Sequence, residues 1–334
     1  MIHFYQYLKR HNNKYPNSLS QDFLKLIYQS EFAGGHLIKS KDDSLKYLQI
    51  EIDSLNHIEN KELYEYISNN IVRINLESFL SLNLDINFLN NLFYESSLLE
   101  YKGLFLTQKT KLLYDYLKNN HEKYSDFSLI NVFLEKPTIF SHSITYKECY
   151  NPHYRVINTM FLPLEFRILK LQKFIDSLDQ SKLNIIAVEG RCASGKTTIC
   201  NKLQNATIIH ADDFFSKTDL LDYDLLKKLL DKLQIGKNIK YTAYSCQTNS
   251  YYEKEIIDVK PIVIIEGVYS YSNPLKKYYT NLVYIETSKD LQSKRLVQKT
   301  NNKNIIDSYL NKWIPREEAY FNENNYIEIA DLII

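Results

Sequence analysis

The sequence predicts an α/β fold, in which a mainly α-helical first half precedes a parallel sheet of five strands in the second half. Residues 190–198, GRCASGKTT, fit the phosphate-loop pattern G-x-x-x-x-G-K-[ST] at every fixed position. An apolar, mostly β-branched segment before this loop indicates a buried strand, and the segment after it is typical of a helix start. Four later apolar segments predict the other strands, at 206–210, 261–269, 282–286 and 330–334. Because helical patterns separate them, we expect right-handed crossovers and a parallel sheet.

The length of 334 residues favours two domains. We place a mainly helical domain of unknown role at 1–160, a linking helix at 161–182 and a P-loop domain at 183–334. The net charge of +1 argues against a dedicated binder of nucleic acid or of anionic membranes. The chain has no apolar run of about 18 residues that would indicate a transmembrane helix. Its first residues also lack the order of a signal peptide.

The four cysteines have no zinc-site spacing, and they fit a reducing cytoplasm best. Cys192 lies inside the phosphate loop, close to a helix N-terminus that can lower the pKa of a thiol. Alkylation there would then block ATP binding. The alternative is an inert small side chain.

The first half carries helical patterns and one unusual polar segment. The segment 140–156 holds two histidines, three tyrosines and Arg155 without periodicity, which predicts a loop, and functional residues often lie on loops. His142, His153 and Arg155 are therefore candidate substrate-binding residues, with a structural polar loop as the alternative. A metal site of Glu31, His36, His142 and His153 is not required by any spacing, and we do not predict one. Helices are predicted at 21–28, 42–55, 85–101, 104–119 and 125–135, with one or two strands within 62–82.

The residue types of the glycine loop suit phosphate binding. The glycines let the backbone curl so that its N–H groups point inward, and the following helix N-terminus adds partial positive charge. Lys196 can reach the β- and γ-phosphates of a nucleotide, and the hydroxyl of Thr197 can bind Mg²⁺. The alternative is a chance glycine loop in a βα turn. We predict an ATP-binding loop of Gly190, Arg191, Cys192, Ala193, Ser194, Gly195, Lys196, Thr197 and Thr198.

Acidic residues follow two of the predicted strands. Asp212 and Asp213 come after the second strand, and Glu266 lies at the exit of the third. Ligands of open α/β sheets bind at the carboxyl ends of strands, where a carboxylate can accept a substrate proton or hold Mg²⁺. Asp212 is the preferred base because it is closer to the strand end, and helix capping is the alternative. On the helix after the fourth strand, Arg295 and Lys294 could neutralise phosphate charge, with a solvated basic face as the alternative.

These residues together resemble the uridine kinase family of P-loop kinases, in its bacterial uridine kinase-like branch. The resemblance covers roughly residues 183–334 and is more specific than the phosphate loop alone. The matching pieces are the phosphate loop, HADDFF at 210–215, Asp222-Tyr223, YSCQT at 244–248, EGVYS at 266–270, Gln292, Arg295 and Lys299, and ADLII at 330–334.

The resemblance implies an NMP-kinase-like sheet with the strand order 2-3-1-4-5. It implies transfer of the γ-phosphate of ATP to a primary hydroxyl, which is the 5′-OH in nucleoside substrates. Lys196, Asp212 and Arg295 would then be the catalytic residues, with Asp212 as the base and Arg295 in or beside the lid. Thr197, Asp212 and Glu266 would serve Mg²⁺, while Asp213 and Tyr244 are candidate substrate contacts.

The sequence departs from the family pattern at three places. Tyr244-Ser245-Cys246 stands where the family carries Tyr-Asp-Phe, the segment 216–221 is short, and Lys299 replaces an arginine. Asp219 or Asp222 could take the ribose-binding role. Lysine cannot replace the bidentate geometry of arginine. The sequence therefore supports phosphoryl transfer well, but it does not support uridine as the acceptor equally well.

The sequence therefore predicts an ATP- and Mg²⁺-dependent kinase of cytoplasmic location that acts on a nucleoside or similar small molecule. One alternative keeps the kinase and changes the acceptor to a sugar, a vitamin precursor or a nucleic-acid end. The other is an ATP-binding sensor or scaffold without turnover. The first half resembles a domain that accompanies such kinases in some bacterial proteins, and this resemblance assigns no activity to it.

Overall fold

The computed structural model divides the chain into two compact units, residues 1–162 and residues 163–334, and each is described by itself. The structure describes residues 2–34, 38–55, 62–120, 127–216, 220–236, 238–245, 248–300 and 302–334. His36, Asp219 and Cys246 lie outside these residues, and so does the side chain of Lys299.

The first unit is mainly helical, as expected, and contains a three-stranded antiparallel sheet in the order β1-β2-β3. Its helices are α1 (Ile2–Lys14), α2 (Ser20–Phe32), α3 (Lys41–Asp53), α4 (Leu76–Ser81), α5 (Ile86–Ser97), α6 (Leu106–Lys118), α7 (Ser128–Glu135) and α8 (Ile144–Tyr150). Its strands are β1 (Tyr64–Tyr66), β2 (Ile71–Asn75) and β3 (Tyr154–Asn158). The five predicted helices correspond to α2, α3, α5, α6 and α7, with ends shifted by a few residues.

The core of the first unit lies between α2, α6 and α7. Phe23, Leu24 and Ile27 of α2 are fully buried and pack with Leu113 of α6 and Ile130 of α7. Burial of such side chains stabilises the unit by roughly 2 kcal/mol each relative to exposure. The helical spacing of these apolar residues is the pattern from which the helices are predicted.

Two stretches of the first unit differ from the sequence prediction. Residues 140–156, expected to form a loop, contain α8 and the start of β3. The hydroxyl of Ser143 caps α8 by accepting the N–H of Tyr146 at 3.1 Å. Strand β3 pairs with the distant β2, with Val156 opposite Arg73, and such pairing leaves no local periodicity. Helix α1 occupies a stretch where no helix is predicted.

The second unit contains the predicted five-stranded parallel sheet, in the spatial order β10-β9-β4-β8-β5. Numbered along the chain within this sheet, the order is 2-3-1-4-5, which confirms the NMP-kinase-like topology. The sheet strands are β4 (Asn184–Gly190), β5 (Thr207–His210), β8 (Ile262–Glu266), β9 (Asn281–Ile285) and β10 (Leu332–Ile333). A separate antiparallel hairpin, β6 (Ile239–Ser245) with β7 (Ser250–Ile256), is not predicted by the sequence analysis.

Helices flank this sheet and give it two buried faces. They are α9 (Leu164–Asp176), α10 (Lys196–Cys200), α11 (Tyr223–Leu233), α12 (Lys289–Lys299), α13 (Lys303–Ser308), α14 (Ile314–Asn324) and α15 (Tyr326–Ile329). Helix α9 lies where the linking helix is expected, and its Leu171 and Ile175 are buried in the core of this unit. Among the residues that the structure describes, no helix is both long enough and apolar enough to cross a membrane.

Burial on both faces explains why the strands are continuous apolar runs. Every residue of β4 and of β8 is buried. Because the strands are parallel, the carboxyl ends of β4, β5 and β8 lie at one edge of the sheet. Gly190, His210 and Glu266 are the last residues of these three strands, and the phosphate loop begins at the same edge.

Candidate functional site

The phosphate loop is tightly curled between β4 and α10. Gly195 has a φ of +97°, a left-handed conformation that favours glycine. A Cβ at Gly190 would lie 2.8 Å from the carbonyl oxygen of Ile285, so this position also requires a glycine. The buried side chain of Lys196 folds back over the loop, and its Nζ donates to the carbonyl oxygens of Gly190 and Arg191 at 2.7 and 3.0 Å.

Side chains of helix α12 donate hydrogen bonds to backbone carbonyl groups of the phosphate loop. Gln292 donates to the carbonyl oxygen of Cys192 at 3.1 Å. Arg295 donates to the carbonyl oxygens of Ala193 and Ser194 at 3.1 and 2.9 Å. The guanidinium of Arg295 therefore lies directly against the phosphate loop. Lys294 is exposed.

Helix α14 holds the loop through two glutamates that the sequence analysis missed. Glu318 accepts a hydrogen bond from Nε of Arg191 at 2.5 Å. Glu317 is buried, and its Oε2 accepts the backbone N–H of Cys192 at 2.8 Å. Burial raises the pKa of Glu317, while its contact with Cys192 and the charge of Lys196 act in the opposite direction. A carboxylate thus occupies one anion-binding N–H of the loop. In the sequence both residues look like ordinary acids near a helix start.

A hydrogen-bonded group links the loop to the ends of β5 and β8. Oγ1 of Thr197 donates to Oε1 of Glu266 at 2.8 Å, and Nδ1 of His210 lies 2.6 Å from the same oxygen. Burial favours the neutral form of Glu266, but the contact with His210 and the charge of Lys196 outweigh it, so the pKa of Glu266 is lowered. The contact with Glu266 raises the pKa of His210. The carboxylate is therefore held ionised beside the loop hydroxyl.

The two neighbouring aspartates have different surroundings. Asp213 is buried and contacts Nζ of Lys254 at 2.7 and 2.9 Å, and it accepts the hydroxyl hydrogen of Tyr241 at 2.9 Å. Asp212 is exposed and lines the cleft beside the loop. Asp213 therefore forms an ion pair with Lys254, whereas the carboxylate of Asp212 is exposed on the wall of the cleft.

The cleft has a volume of about 940 Å³ and brings most of the predicted site residues together. Its polar wall contains Lys196, Thr197, Asp212, Asp213, Glu266 and Arg295. Its aromatic wall contains Phe215, Tyr244, Tyr269, Tyr309 and Trp313. The hydroxyl of Tyr244 is bound to the side chain of Asn249, which fixes the ring at the start of the hairpin turn.

The donor set fits a nucleotide phosphate and a magnesium ion. Oγ of Ser194 is buried and has no hydrogen-bond partner among the described residues, so the loop holds an unsatisfied polar atom. Thr197 and Glu266 offer hydroxyl and carboxylate oxygens, which are the ligands that Mg²⁺ prefers. In the described ranges no group of three or more His, Cys, Asp or Glu residues could hold a metal by itself.

The expectation that Cys192 has a lowered pKa is wrong. Burial and the negative charge of Glu317 together raise the pKa of the thiol to about 12. These effects outweigh the helix N-terminus. Cys192 is therefore a poor nucleophile at neutral pH, so the structure favours the alternative of an inert side chain.

The three candidate residues of the first unit have partners within that unit. His142 lies 3.0 Å from Asp22 and 2.6 Å from the hydroxyl of Tyr154. Arg155 and His153 both contact Glu51, at 2.5 and 3.0 Å. These contacts fit the structural alternative of a well-bonded polar segment.

Glu189 is a buried acid immediately before the loop, and it predicts a pH dependence of stability. Burial raises its pKa from 4.5 to about 7, although the backbone N–H of Tyr271 and the hydroxyl of Tyr320 donate to it. The folded protein therefore binds this proton more tightly than the unfolded chain. Between pH 4.5 and 7 this group makes the folded state less stable as pH rises, by at most about 1.4 kcal/mol per pH unit.

We expect Glu189→Gln to remove this component from urea unfolding curves recorded between pH 5 and pH 8. The matched control is Glu323→Gln, which changes an exposed acid of α14. An unchanged pH slope in Glu189→Gln would contradict the prediction.

Comparison with known proteins shows what the second unit is similar to. The profile of the Phosphoribulokinase / Uridine kinase family matches residues 209–328. A uridine kinase of Macrococcus caseolyticus is 25% identical over 184 residues, which cover 46% of this chain and 88% of that protein. The uridine kinase-like protein 5 of Arabidopsis thaliana is 22% identical over 180 residues, which cover 45% of this chain. The match spans only 38% of the length of the Arabidopsis protein.

Among solved structures, one described as a possible uridine kinase from Bacillus stearothermophilus aligns with a TM-score of 0.41 at 19% identity. The alignment covers 51% of this chain and 98% of that one. The sheet order, the phosphate loop and the family match agree with one another. Over residues 209–328 the second unit is therefore similar to the uridine kinases, and its sheet order and phosphate loop agree with this likeness.

Proposed function

We propose that the second unit transfers the γ-phosphate of ATP, with Mg²⁺, to a hydroxyl group of a nucleoside or similar small molecule. One observation carries this proposal: the phosphate loop, the Thr197–Glu266 pair and the exposed carboxylate of Asp212 line the same cleft. A phosphate-binding loop alone would suit any nucleotide-binding protein. An open carboxylate beside it provides a base for an acceptor hydroxyl.

Each role follows from position and charge. Lys196 holds the β- and γ-phosphates, and it leaves its two loop carbonyls to do so. Thr197 and Glu266 would hold Mg²⁺, which would supply positive charge beside the phosphates. Asp212 accepts the proton of the acceptor hydroxyl as the new P–O bond forms and the bond to the ADP leaving group breaks. Arg295, already against the loop, stabilises the charge of the transferred group.

His210 and Lys254 are positioning residues in this proposal. His210 holds Glu266 by a contact of 2.6 Å, which fixes the carboxylate that faces Thr197. Lys254 neutralises the buried Asp213, so the carboxylate exposed at this strand end is that of Asp212. Neither role is evident in the sequence, because each partner is more than 40 residues away.

The acceptor is proposed to be a nucleoside because relatives that match the chain are named as uridine kinases. The aromatic wall of the cleft, with Phe215 and Tyr244, offers flat surfaces for a ring. Ser245 stands where the family carries an acidic residue. Because of this difference, a sugar or another alcohol is the second candidate for the acceptor.

The test is phosphate transfer from labelled ATP to uridine, cytidine, adenosine, a set of hexoses and a 5′-hydroxyl oligonucleotide. We expect a pyrimidine nucleoside to be the preferred acceptor. Transfer only to a sugar would support the proposed mechanism and would show that the acceptor is a sugar and not a nucleoside. ATP binding without transfer to any acceptor would contradict the proposed activity.

The position of Glu317 beside the phosphate loop leads us to expect that its replacement changes the affinity for ATP more than the affinity for ADP. Its carboxylate is bound to the N–H of Cys192 and feels the charge of Lys196, so it competes with the terminal phosphate of ATP for the same groups. We expect Glu317→Gln to increase ATP affinity about tenfold and ADP affinity less, because the amide keeps an acceptor and loses the charge. Calorimetric titration of both nucleotides measures the ratio.

The matched control is Glu323→Gln, which removes one charge from the exposed face of the same helix. It should leave both affinities unchanged. A loss of affinity for both nucleotides in Glu317→Gln would show that the carboxylate instead maintains the shape of the loop.

A further inference from the structure

The first unit contains a cavity of about 380 Å³ that the proposed kinase activity does not use. Residues from α1, from all three strands of the antiparallel sheet, and from α8 and the turn after it line this cavity. Much of its wall comes from the segment 146–154, within the polar stretch that the sequence singles out for its histidines and tyrosines. This volume is within the range of small-molecule sites, which starts at about 300 Å³.

The inner wall of the cavity carries a charge network without net charge. Arg73 is only 1% exposed, and it donates to Gln29 at 2.8 and 3.1 Å and contacts Glu65 at 3.4 Å. Lys14 contacts Glu62 at 2.6 Å and Glu65 at 2.9 Å. Two cations thus face two carboxylates, and a third carboxylate, that of the exposed Glu148, also lines the cavity. An anionic ligand would meet both glutamates and a cationic ligand would meet Arg73, so the wall favours a neutral ligand.

Four tyrosines also line the cavity. The rings of Tyr15, Tyr146 and Tyr150 lie with their centroids 4.9 to 5.4 Å apart, and Tyr154 lies beneath the guanidinium of Arg73. Tyr146 is only 2% exposed, and its hydroxyl has no hydrogen-bond partner among the described residues. The hydroxyl oxygen is not one of the fully enclosed polar atoms that lack a partner, so it reaches the open space of the cavity, where a ligand can bond to it.

The position of Tyr154 is fixed from behind by a buried pair. Asp22 is fully buried and lies 3.0 Å from Nδ1 of His142, whose Nε2 lies 2.6 Å from the hydroxyl of Tyr154. Burial lowers the pKa of His142 to about 4, although the contact with Asp22 opposes this, so the ring is neutral at pH 7. We assign Nδ1–H as the donor to Asp22, which leaves Nε2 to accept the hydroxyl hydrogen of Tyr154. The wall is therefore held in place before any ligand binds.

We propose that this cavity is a second ligand site and that it binds a small neutral ring with several hydroxyl groups, of the nucleoside or free-sugar class. Carboxylates that accept hydroxyl hydrogens, guanidinium and phenol donors, and flat aromatic faces are the groups that such a ring needs. The unpaired hydroxyl of Tyr146 is the contact that the ligand completes. This proposal does not depend on phosphoryl transfer by the second unit.

The test uses the full-length chain without ATP and the probes uridine, ribose and uridine monophosphate. Hydrogen–deuterium exchange locates binding, and calorimetry measures affinity. We expect uridine or ribose to protect residues 64–75 and 144–154. Binding of ribose would show that the sugar ring is sufficient, and binding of uridine alone would show that the base is also recognised; both outcomes support the proposal.

Tyr146→Phe keeps the ring and removes the hydroxyl, and we expect it to weaken this binding about tenfold. The matched control is Tyr47→Phe, which removes a hydroxyl from a tyrosine of the same unit that is 68% exposed. A thermal unfolding curve for each variant verifies that it folds.

Three outcomes would overturn the proposal. They are protection confined to residues 163–334, protection by the monophosphate alone, and wild-type affinity in Tyr146→Phe. Loss of phosphoryl transfer in the kinase assay has no bearing on any of them, so failure of this site and failure of the proposed kinase activity can be distinguished.

Discussion

Lys196→Ala is expected to reduce phosphate transfer about 10³-fold, since one preorganised charge at a reacting phosphate contributes an effect of this size. The ammonium group of Lys196 is buried in the curl of the loop and is held by the carbonyl oxygens of Gly190 and Arg191. Exchange of these carbonyls for phosphate oxygens replaces neutral partners with charged ones. Alanine removes the cation and its reach toward the γ-phosphate.

The measurement is transfer from labelled ATP to the best acceptor of the panel, together with ATP affinity by calorimetry. The control is Lys202→Ala, which changes an exposed lysine just after α10. It should retain full activity. If Lys196→Ala kept more than about a tenth of the wild-type rate while Lys202→Ala remained normal, the assigned role of Lys196 in phosphoryl transfer would be wrong.

The strands of the second unit could be predicted because burial on both faces makes each strand an apolar run. Residues 262–265, Ile-Val-Ile-Ile, are fully buried in β8, and their acidic successor Glu266 marks the edge where ligands bind. The order of the strands in the sheet could not be predicted from these apolar runs. Pairing of β4 with both β8 and β9 joins residues about 80 to 100 positions apart, and only the family resemblance indicated it.

The parts of the candidate site that were missed depend on contacts between distant residues. Glu317 bonds to Cys192 across 125 positions, and Glu318 bonds to Arg191 across 127. Neither contact leaves a periodic pattern, because a side chain that touches a loop from another helix looks like any polar residue in its own helix. The same reason explains β3, which pairs with the distant β2.

Asp212→Asn is the second large effect that we expect, with the turnover number reduced about 10²- to 10⁴-fold and ATP affinity nearly unchanged. Asp212 is exposed on the cleft wall, whereas Asp213 is buried and pairs with Lys254, so Asp212 is the aspartate that an acceptor hydroxyl can approach from the cleft. The amide keeps the shape of the side chain and cannot accept the proton. Measurement of turnover and of ATP affinity separates the loss of a base from the loss of nucleotide binding.

The adjacent Asp213→Asn is the informative comparison, because it removes the same charge one residue away. Asp213 is buried against Lys254 and Tyr241, so its loss leaves a partly buried ammonium without its partner. We expect this variant to lower the free energy of unfolding, by about 3 kcal/mol at most because Lys254 is partly solvated, and to affect turnover less than Asp212→Asn. The reverse pattern, with activity lost in Asp213→Asn and retained in Asp212→Asn, would move the base to Asp213. Retention of activity in both variants would mean that the acceptor hydroxyl is deprotonated without a carboxylate from this strand end.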